Sequence, residues 1–253
     1  MPDGAHVCNT HDMETSPATS RRTMLIGAAG TLGLLGAGSR SPAAATDAGA
    51  DPRPAFVAEP IKTLDGGPRD VAVTFDDGPH PEFTPQVLTT LRRYRVRATF
   101  CVVGTEVERH PETLRAIHDA GHLVASHSWS HANLQELDGA GVAAEVERGL
   151  DAIGRVLPTH EVDWFRAPYG RWSSEVMGAL TAHGLRPLGW SVDPRDWELP
   201  GAPEIAERVV AGTTAGSIIL NHDAGGDRSQ TVAALDLWIP RLLAAGYRFT
   251  LPA

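Results

Sequence analysis

Two adjacent carboxylates, Asp76 and Asp77, close the apolar run Val71-Ala72-Val73-Thr74-Phe75 and are followed at once by Gly78-Pro79. Neighbouring carboxylates repel each other, and one use for such a pair is divided labour. One binds a cation, whose field keeps the other ionised and able to take a proton from water. An ordinary Asp-Asp-Gly-Pro turn draws on the same residue types. Further on, His127-Ser128-Trp129-Ser130-His131 spaces two histidines four apart, which lets both face one metal, as in zinc helices. No glutamate follows His127, so this is not the zinc-protease signature. With Asp77 the histidines make a 2-His-1-carboxylate set with open positions for water and substrate. Arg166 is a fixed cation able to hold a carboxylate by paired hydrogen bonds, or a surface arginine in an ordinary loop. The Pro168-Tyr169-Gly170 turn after it can present a backbone N–H to a substrate. His222 can act as an acid whose pKa a nearby aspartate sets, although a histidine at a strand end is also a common structural residue.

Positioning these groups requires strands that end where the chemistry begins. Strand-like runs fall at 71–75, 98–103, 122–126, 162–166, 186–190, 217–221 and 247–250. Helical patterns lie between them. Val142, Val146, Leu150, Ile153 and Leu157 share one helical face, with Asp138 as N-cap. Val232, Leu235, Leu237, Leu242 and Leu243 mark another helix, entered through Ser229, which Pro240 is expected to kink or restart. Strand–helix alternation implies parallel strands with helices outside. The expected class is α/β, a distorted (β/α) barrel of about seven parallel strands. An open doubly wound sheet is the rival, but no Gly-rich phosphate loop follows the first strand. The suggestive residues each follow a strand, and in β/α barrels those loops build the active site.

The chain has 253 residues, 42% hydrophobic, with a formal charge of −9. The acidic balance argues against a nucleic-acid partner. Ser20-Arg21-Arg22-Thr23-Met24-Leu25 precedes an uncharged Gly/Ala/Leu run, and Ala43-Ala44-Ala45 supplies a cleavage site. Residues 1–45 therefore read as a secretory signal of twin-arginine type, with export and no lasting membrane insertion expected. The apolar run is short of the ~20 residues that span a bilayer. Residues 46–67 read as a linker rich in Pro, Gly, Ala and Asp, and 68–253 as the folded domain. Cleavage leaves Cys101 as a lone cysteine, most simply a small core residue.

The motifs as a set (Thr-Phe-Asp-Asp-Gly-Pro at 74–79, His-Ser-x-x-His at 127–131, Arg-Ala-Pro-Tyr-Gly at 166–170) resemble the polysaccharide deacetylase family, also called the NodB-homology domain or carbohydrate esterase family 4. The resemblance covers about residues 70–249. It implies a divalent metal, usually Zn2+ with Co2+ as an alternative, held by Asp77, His127 and His131. It further implies Asp76 as general base, Arg166 as its orienter, His222 as general acid tuned by Asp196, and Asp193 near Arg166. The Tyr169 amide would help bind the oxyanion. Trp129, Trp190 and Trp197, with Tyr169, would offer apolar faces to sugar rings, although tryptophans are equally core residues. Two departures stand out: Asn221 replaces the usual apolar residue before His222, and the approach to Trp164 lacks Gly-x-x-Pro. Both are expected to alter substrate choice. The expected function is hydrolysis of N-acetyl groups on N-acetylglucosamine glycans such as chitin, chitooligosaccharide or peptidoglycan, by a secreted monomer. Alternatives are an O-acetyl esterase on xylan-like chains, a non-catalytic carbohydrate-binding relative and, outside the family, an iron oxygenase.

Overall fold

The computed structural model describes residues 59–253. The signal segment and residues 46–58 of the linker lie outside the described residues. Seven strands follow the expected runs: β1 Asp70–Asp76, β2 Thr99–Val102, β3 Leu123–Ser126, β4 Trp164–Phe165, β5 Arg186–Pro187, β6 Ile218–His222 and β7 Arg248–Phe249. Helices α1 Phe83–Tyr94, α2 Gly104–Arg109, α3 Pro111–Asp119, α4 Gly139–Val156, α5 Ser174–Ala182, α6 Ala202–Gly212 and α7 Ser229–Ala244 separate them. All paired strands run parallel in the order β5-β4-β3-β2-β1-β6, with β7 pairing off this path to the start of β1.

The barrel is distorted where β4 and β5 shrink to two residues each. The chain beyond β5 closes it: Val192 bridges Ile219 of β6. Residues read as linker complete the closure lower down. Ile61 bridges Leu188 and Thr63 bridges Ser217, so this strap spans the gap between β5 and β6. Composition suggested a linker there, but Ile61 and Leu64 pack on the inner cluster of Ala72, Cys101, Ala125, Trp164, Leu188 and Ile218. That apolar anchor makes the segment part of the fold. Cys101 is fully buried in the same cluster.

Alternation along β1 sorts the side chains. Ala72 joins the inner cluster, while Val73 and Phe75 join the outer one under the helices. Asp138 caps α4, accepting from the Gly141 N–H at 2.8 Å. Helix α7 runs through Pro240 without restarting. Trp238, Ile239 and Leu242 around it are buried, and their packing holds the helix against the missing N–H. Among the described residues no helix is long and apolar enough to cross a membrane.

Candidate active site

Consecutive residues of a strand face opposite ways, yet Asp76 and Asp77 both line one cavity of about 840 Å3 at the C-terminal strand ends. The backbone explains it. Asp77 leaves the strand with φ 76°, a left-handed conformation that aspartate tolerates better than most residues. This turn swings the second carboxylate to the side of the first.

The two histidines arrive on a loop, not a helix. Ser128 at φ 67° and His131 at φ 59° fold it back so that both rings reach Asp77. Asp77 Oδ1 lies 3.2 Å from His131 Nε2 and 3.6 Å from His127 Nε2. One ligand atom from each of the three residues falls within 4.8 Å of the other two. Buried His127 donates from Nδ1 to the Arg166 carbonyl at 2.7 Å, leaving Nε2 as a lone pair facing Asp77. Burial holds His127 below its usual pKa despite the nearby Asp76 and Asp77 charges. For Asp77, burial pushes upward, but the close approach of His131 and the His222, His127 and His131 charges bring it to about 2. A neutral imidazole and an ionised carboxylate are the ligand forms a metal needs. Asp77 Oδ1 is buried with no hydrogen-bond donor among the described residues. An anionic oxygen without a donor, beside two imidazole nitrogens, is the donor set of a cation site.

Asp76 is a buried charge at the end of β1. Arg166, fully buried, donates from Nη1 to Asp76 Oδ1 at 2.7 Å. Three more of its donors go to Thr74 Oγ1, the Leu188 carbonyl and the Gly189 carbonyl at 2.7, 3.2 and 2.8 Å. The second Asp76 oxygen stays unpaired by Arg166 and sits 3.8 Å from His127 Nε2. His222 lines the same cavity from the end of β6. Buried Asp196 accepts from the His222 Nδ1 at 2.7 Å, from the His222 amide at 2.8 Å and from Thr231 Oγ1 at 2.7 Å. Burial would lower His222, but the Asp196 bond and charge, with the Asp77 and Asp76 charges, raise it to about 9. The site therefore pairs a carboxylate base with a protonated imidazole acid.

A family profile described as polysaccharide deacetylase matches residues 63–188. The chitooligosaccharide deacetylase of Rhizobium leguminosarum bv. trifolii is 37% identical over 207 residues, covering 77% of this chain and 96% of that protein. A peptidoglycan-N-acetylglucosamine deacetylase of Bacillus cereus is 38% identical over 181 residues, covering 71% and 84%. The chain belongs to the polysaccharide deacetylase family. A solved peptidoglycan N-acetylglucosamine deacetylase superposes with TM-score 0.72 at 32% identity, over 75% of this chain and 88% of its own. A family pseudoenzyme from Bacillus anthracis superposes with TM-score 0.70 at 27% identity, over 75% and 66%. These matches place the protein among hydrolases that remove acetyl groups, and its parallel barrel is theirs. The iron-oxygenase alternative falls with that assignment.

In this deacetylase most expected site residues converge, Trp129 turns away, and Asp193 lines the cavity without bonding Arg166. Tyr169, Trp190 and Trp197 line the cavity. Tyr169 sits at φ 59°, its ring edge on His131 at 4.6 Å, and its N–H meets no acceptor among the described residues. Trp129 does not line the cavity. It packs with the outer core against Gly104, under the Arg148 guanidinium at 4.2 Å, because the left-handed Ser128 sends it outward. Asp193 lines the cavity mouth but makes no hydrogen bond to Arg166. It is exposed and accepts from the Arg195 N–H at 2.8 Å, capping a left-handed turn, while Arg166 is already filled by other partners. Asn221 is fully buried on the helix side of β6, bonded to the Thr74 carbonyl at 3.4 Å, so it cannot touch a substrate.

Other supports went unread in the sequence. Glu145 of α4 accepts from the Trp129 and Ser130 amides and the Ser130 hydroxyl at 3.1, 2.9 and 2.8 Å, pinning the histidine loop. Gly149, one turn on, leaves room for it: a Cβ there would come within 3.0 Å of the Ser128 carbonyl. Thr231 steadies Asp196, and its position in the first turn of α7 was the available signal. Thr84 donates to buried Asp223, which lies against Gly78 of the carboxylate turn. Burial, with the Asp77 and Asp76 charges, raises Asp223 to about 7 against the Thr84 bond.

Proposed function

We infer that this protein is a divalent-metal-dependent deacetylase that hydrolyses N-acetyl groups on N-acetylglucosamine-containing glycans, and that it works outside the cytoplasm after export through residues 1–45. The observation that carries this reading is Asp77 Oδ1, buried, without a donor, and in reach of two imidazole nitrogens. Asp77, His127 and His131 would hold the ion, Zn2+ by expectation with Co2+ as a substitute. When bound, such an ion polarises a carbonyl and lowers the pKa of water from about 15.7 toward 7.

The chain's own groups account for the rest of the reaction. Asp76, fixed through one oxygen by Arg166, takes the proton of the attacking water with the other. The Tyr169 N–H donates to the acetyl oxygen as charge develops there. His222, its Nδ1 held by Asp196, offers the Nε2 proton to the departing nitrogen. An amine leaves poorly unless protonated, so an imidazole kept protonated on this side favours amide over ester substrates. Trp190 and Trp197 offer apolar faces to the sugar. The named activities of the similar Rhizobium and Bacillus proteins support glucosamine-based substrates. Filled positions for ligands, base and acid support activity, since the fold alone also serves a pseudoenzyme. The protein is expected to act as a monomer.

The test is acetate release by purified protein from N-acetylglucosamine oligomers and from acetylated xylan, with and without chelator. Release from the amino sugar that a chelator stops and Zn2+ or Co2+ restores is the expected result. Release from xylan alone makes the protein an esterase on the same groups. Release indifferent to chelator overturns the metal assignment.

A further inference from the structure

The cavity rim has two chemical sides. The loops after β4 and β5 bring the aromatic side, while those after β1 and β2 bring His80 and Glu106, for which the mechanism has no use. Both are set up to bind. His80 Nδ1 accepts N–H bonds from Glu82 and Phe83 at 3.1 and 3.2 Å, and its ring stacks on Phe83 at 4.8 Å. With Nδ1 an acceptor, the neutral ring carries its proton on Nε2, a donor whose tautomer the backbone fixes. Glu106, in the first turn of α2, gives one oxygen to Arg109, whose side chain is 64% exposed. Its other oxygen has His110 Nε2 at 3.9 Å, beyond hydrogen-bond reach. With Arg109 largely in water, this ion pair is worth little and is easily exchanged for another cation. Strands β1 and β2 are paired neighbours, so donor and anion come from adjacent loops on one side of the cavity.

We propose that Glu106 and His80 form a subsite for the sugar next to the one being deacetylated, and that it prefers this neighbour as the free amine. The proposal rests on the deacetylase reading of the same cavity. Each turnover replaces a neutral acetamide by a primary amine, which carries a proton near neutral pH. An ammonium group suits the open Glu106 oxygen, and a sugar hydroxyl suits the His80 donor. A partly deacetylated chain is then the better ligand, and acetyl groups leave in runs along it.

The experiment compares two N-acetylglucosamine tetramers at low salt with metal added. One is fully acetylated; the other carries a single acetyl group flanked by free glucosamine. For the wild type, KM for the flanked tetramer is expected to be lower by roughly fivefold, the size of an exposed charge pair. The preference should shrink at about 0.5 M salt, where such pairs are screened. Glu106→Gln should bring the two KM values together, while Arg109→Ala, which unmasks the carboxylate, should widen the gap. Equal KM values in the wild type, or a preference that Glu106→Gln and Arg109→Ala both leave in place, overturn the subsite. Acetate release from neither tetramer, with metal bound, overturns the deacetylase reading and the subsite with it.

Discussion

The floor and the rim of the cavity are built on different terms. On the floor, Asp76, His127 and Arg166 are buried at strand ends, and Arg166 makes four hydrogen bonds within the barrel itself. On the rim, Tyr169 is 61% exposed and Trp197 47%, held by loops. A floor side chain therefore serves chemistry and fold together, while a rim side chain serves binding. Asp76→Asn is the sharpest test of that difference. It removes the base, which costs turnover about 10²–10⁴. It also leaves Arg166 as an uncompensated charge inside the barrel, at a cost of about 3–5 kcal/mol. For a domain of this size the melting temperature should fall by roughly 6–20 °C. Acetate release and a thermal melt check both halves. An unchanged melt would show that the floor charge carries no share of the fold.

His222 stands between the two terms, since it lines the cavity but leans on Asp196 behind it. Asp196→Asn keeps the shape and removes the charge. His222 should then drop from about 9, because burial pulls it down and its main support is gone. A group whose folded pKa is raised above 6.5 contributes stability below pH 6.5, and loses it as pH rises through about 9. The protonated acid in the folded enzyme follows the folded value alone. Wild-type activity should decline on an alkaline limb centred near pH 9, and Asp196→Asn should move that limb to lower pH. Turnover at neutral pH should fall by about 10²–10⁴, and the melting temperature should fall with it, because the stability linked to the raised His222 pKa is lost. A limb that stays in place in the variant would remove Asp196 from its role.

Out on the rim, Trp197→Ala should raise KM for oligosaccharide severalfold and leave kcat and the melt as they are. The removed ring is half in water, so the fold loses little by its absence. A fall in kcat with unchanged KM would move Trp197 from binding to chemistry.

The same division decides what could be read from the chain. Floor residues sit where strands end, and strand ends are visible as apolar runs that stop at a charge, so Asp76, Asp77, His127 and His222 were all legible. Strands β1, β2, β3 and β6 were legible for the same reason, while β5 and β7, which begin at Arg186 and Arg248, were read from shorter mixed stretches. Residues set by backbone conformation were not. Nothing in His-Ser-Trp-Ser-His announces the left-handed Ser128 that turns Trp129 outward, or the left-handed Arg195 whose amide occupies Asp193. Glu145 looked like one more polar residue on the outer face of α4, because the loop it pins is 15 residues away in sequence. The strap at 60–64 was hidden by linker-like composition, although two apolar side chains, Ile61 and Leu64, were the signal.

Asn221 tests whether the boundary between catalytic and packing faces is real. It sits beside His222, where the resemblance led to the expectation of an apolar residue, yet alternation along β6 turns it to the helix side. Its Oδ1 is buried without a donor among the described residues, and its single bond, to the Thr74 carbonyl, is long at 3.4 Å. An unsatisfied buried acceptor costs about 1–3 kcal/mol, and an apolar side chain of similar volume removes that cost. Asn221→Leu should therefore leave kcat/KM unchanged on every acetylated substrate and raise the melting temperature by a few degrees, on the order of 1 kcal/mol. A changed substrate preference would mean that the outer face of β6 reaches the chemistry through His222. A lowered melt would mean that the Asn221 amide holds β6 to β1 more firmly than its one long bond implies.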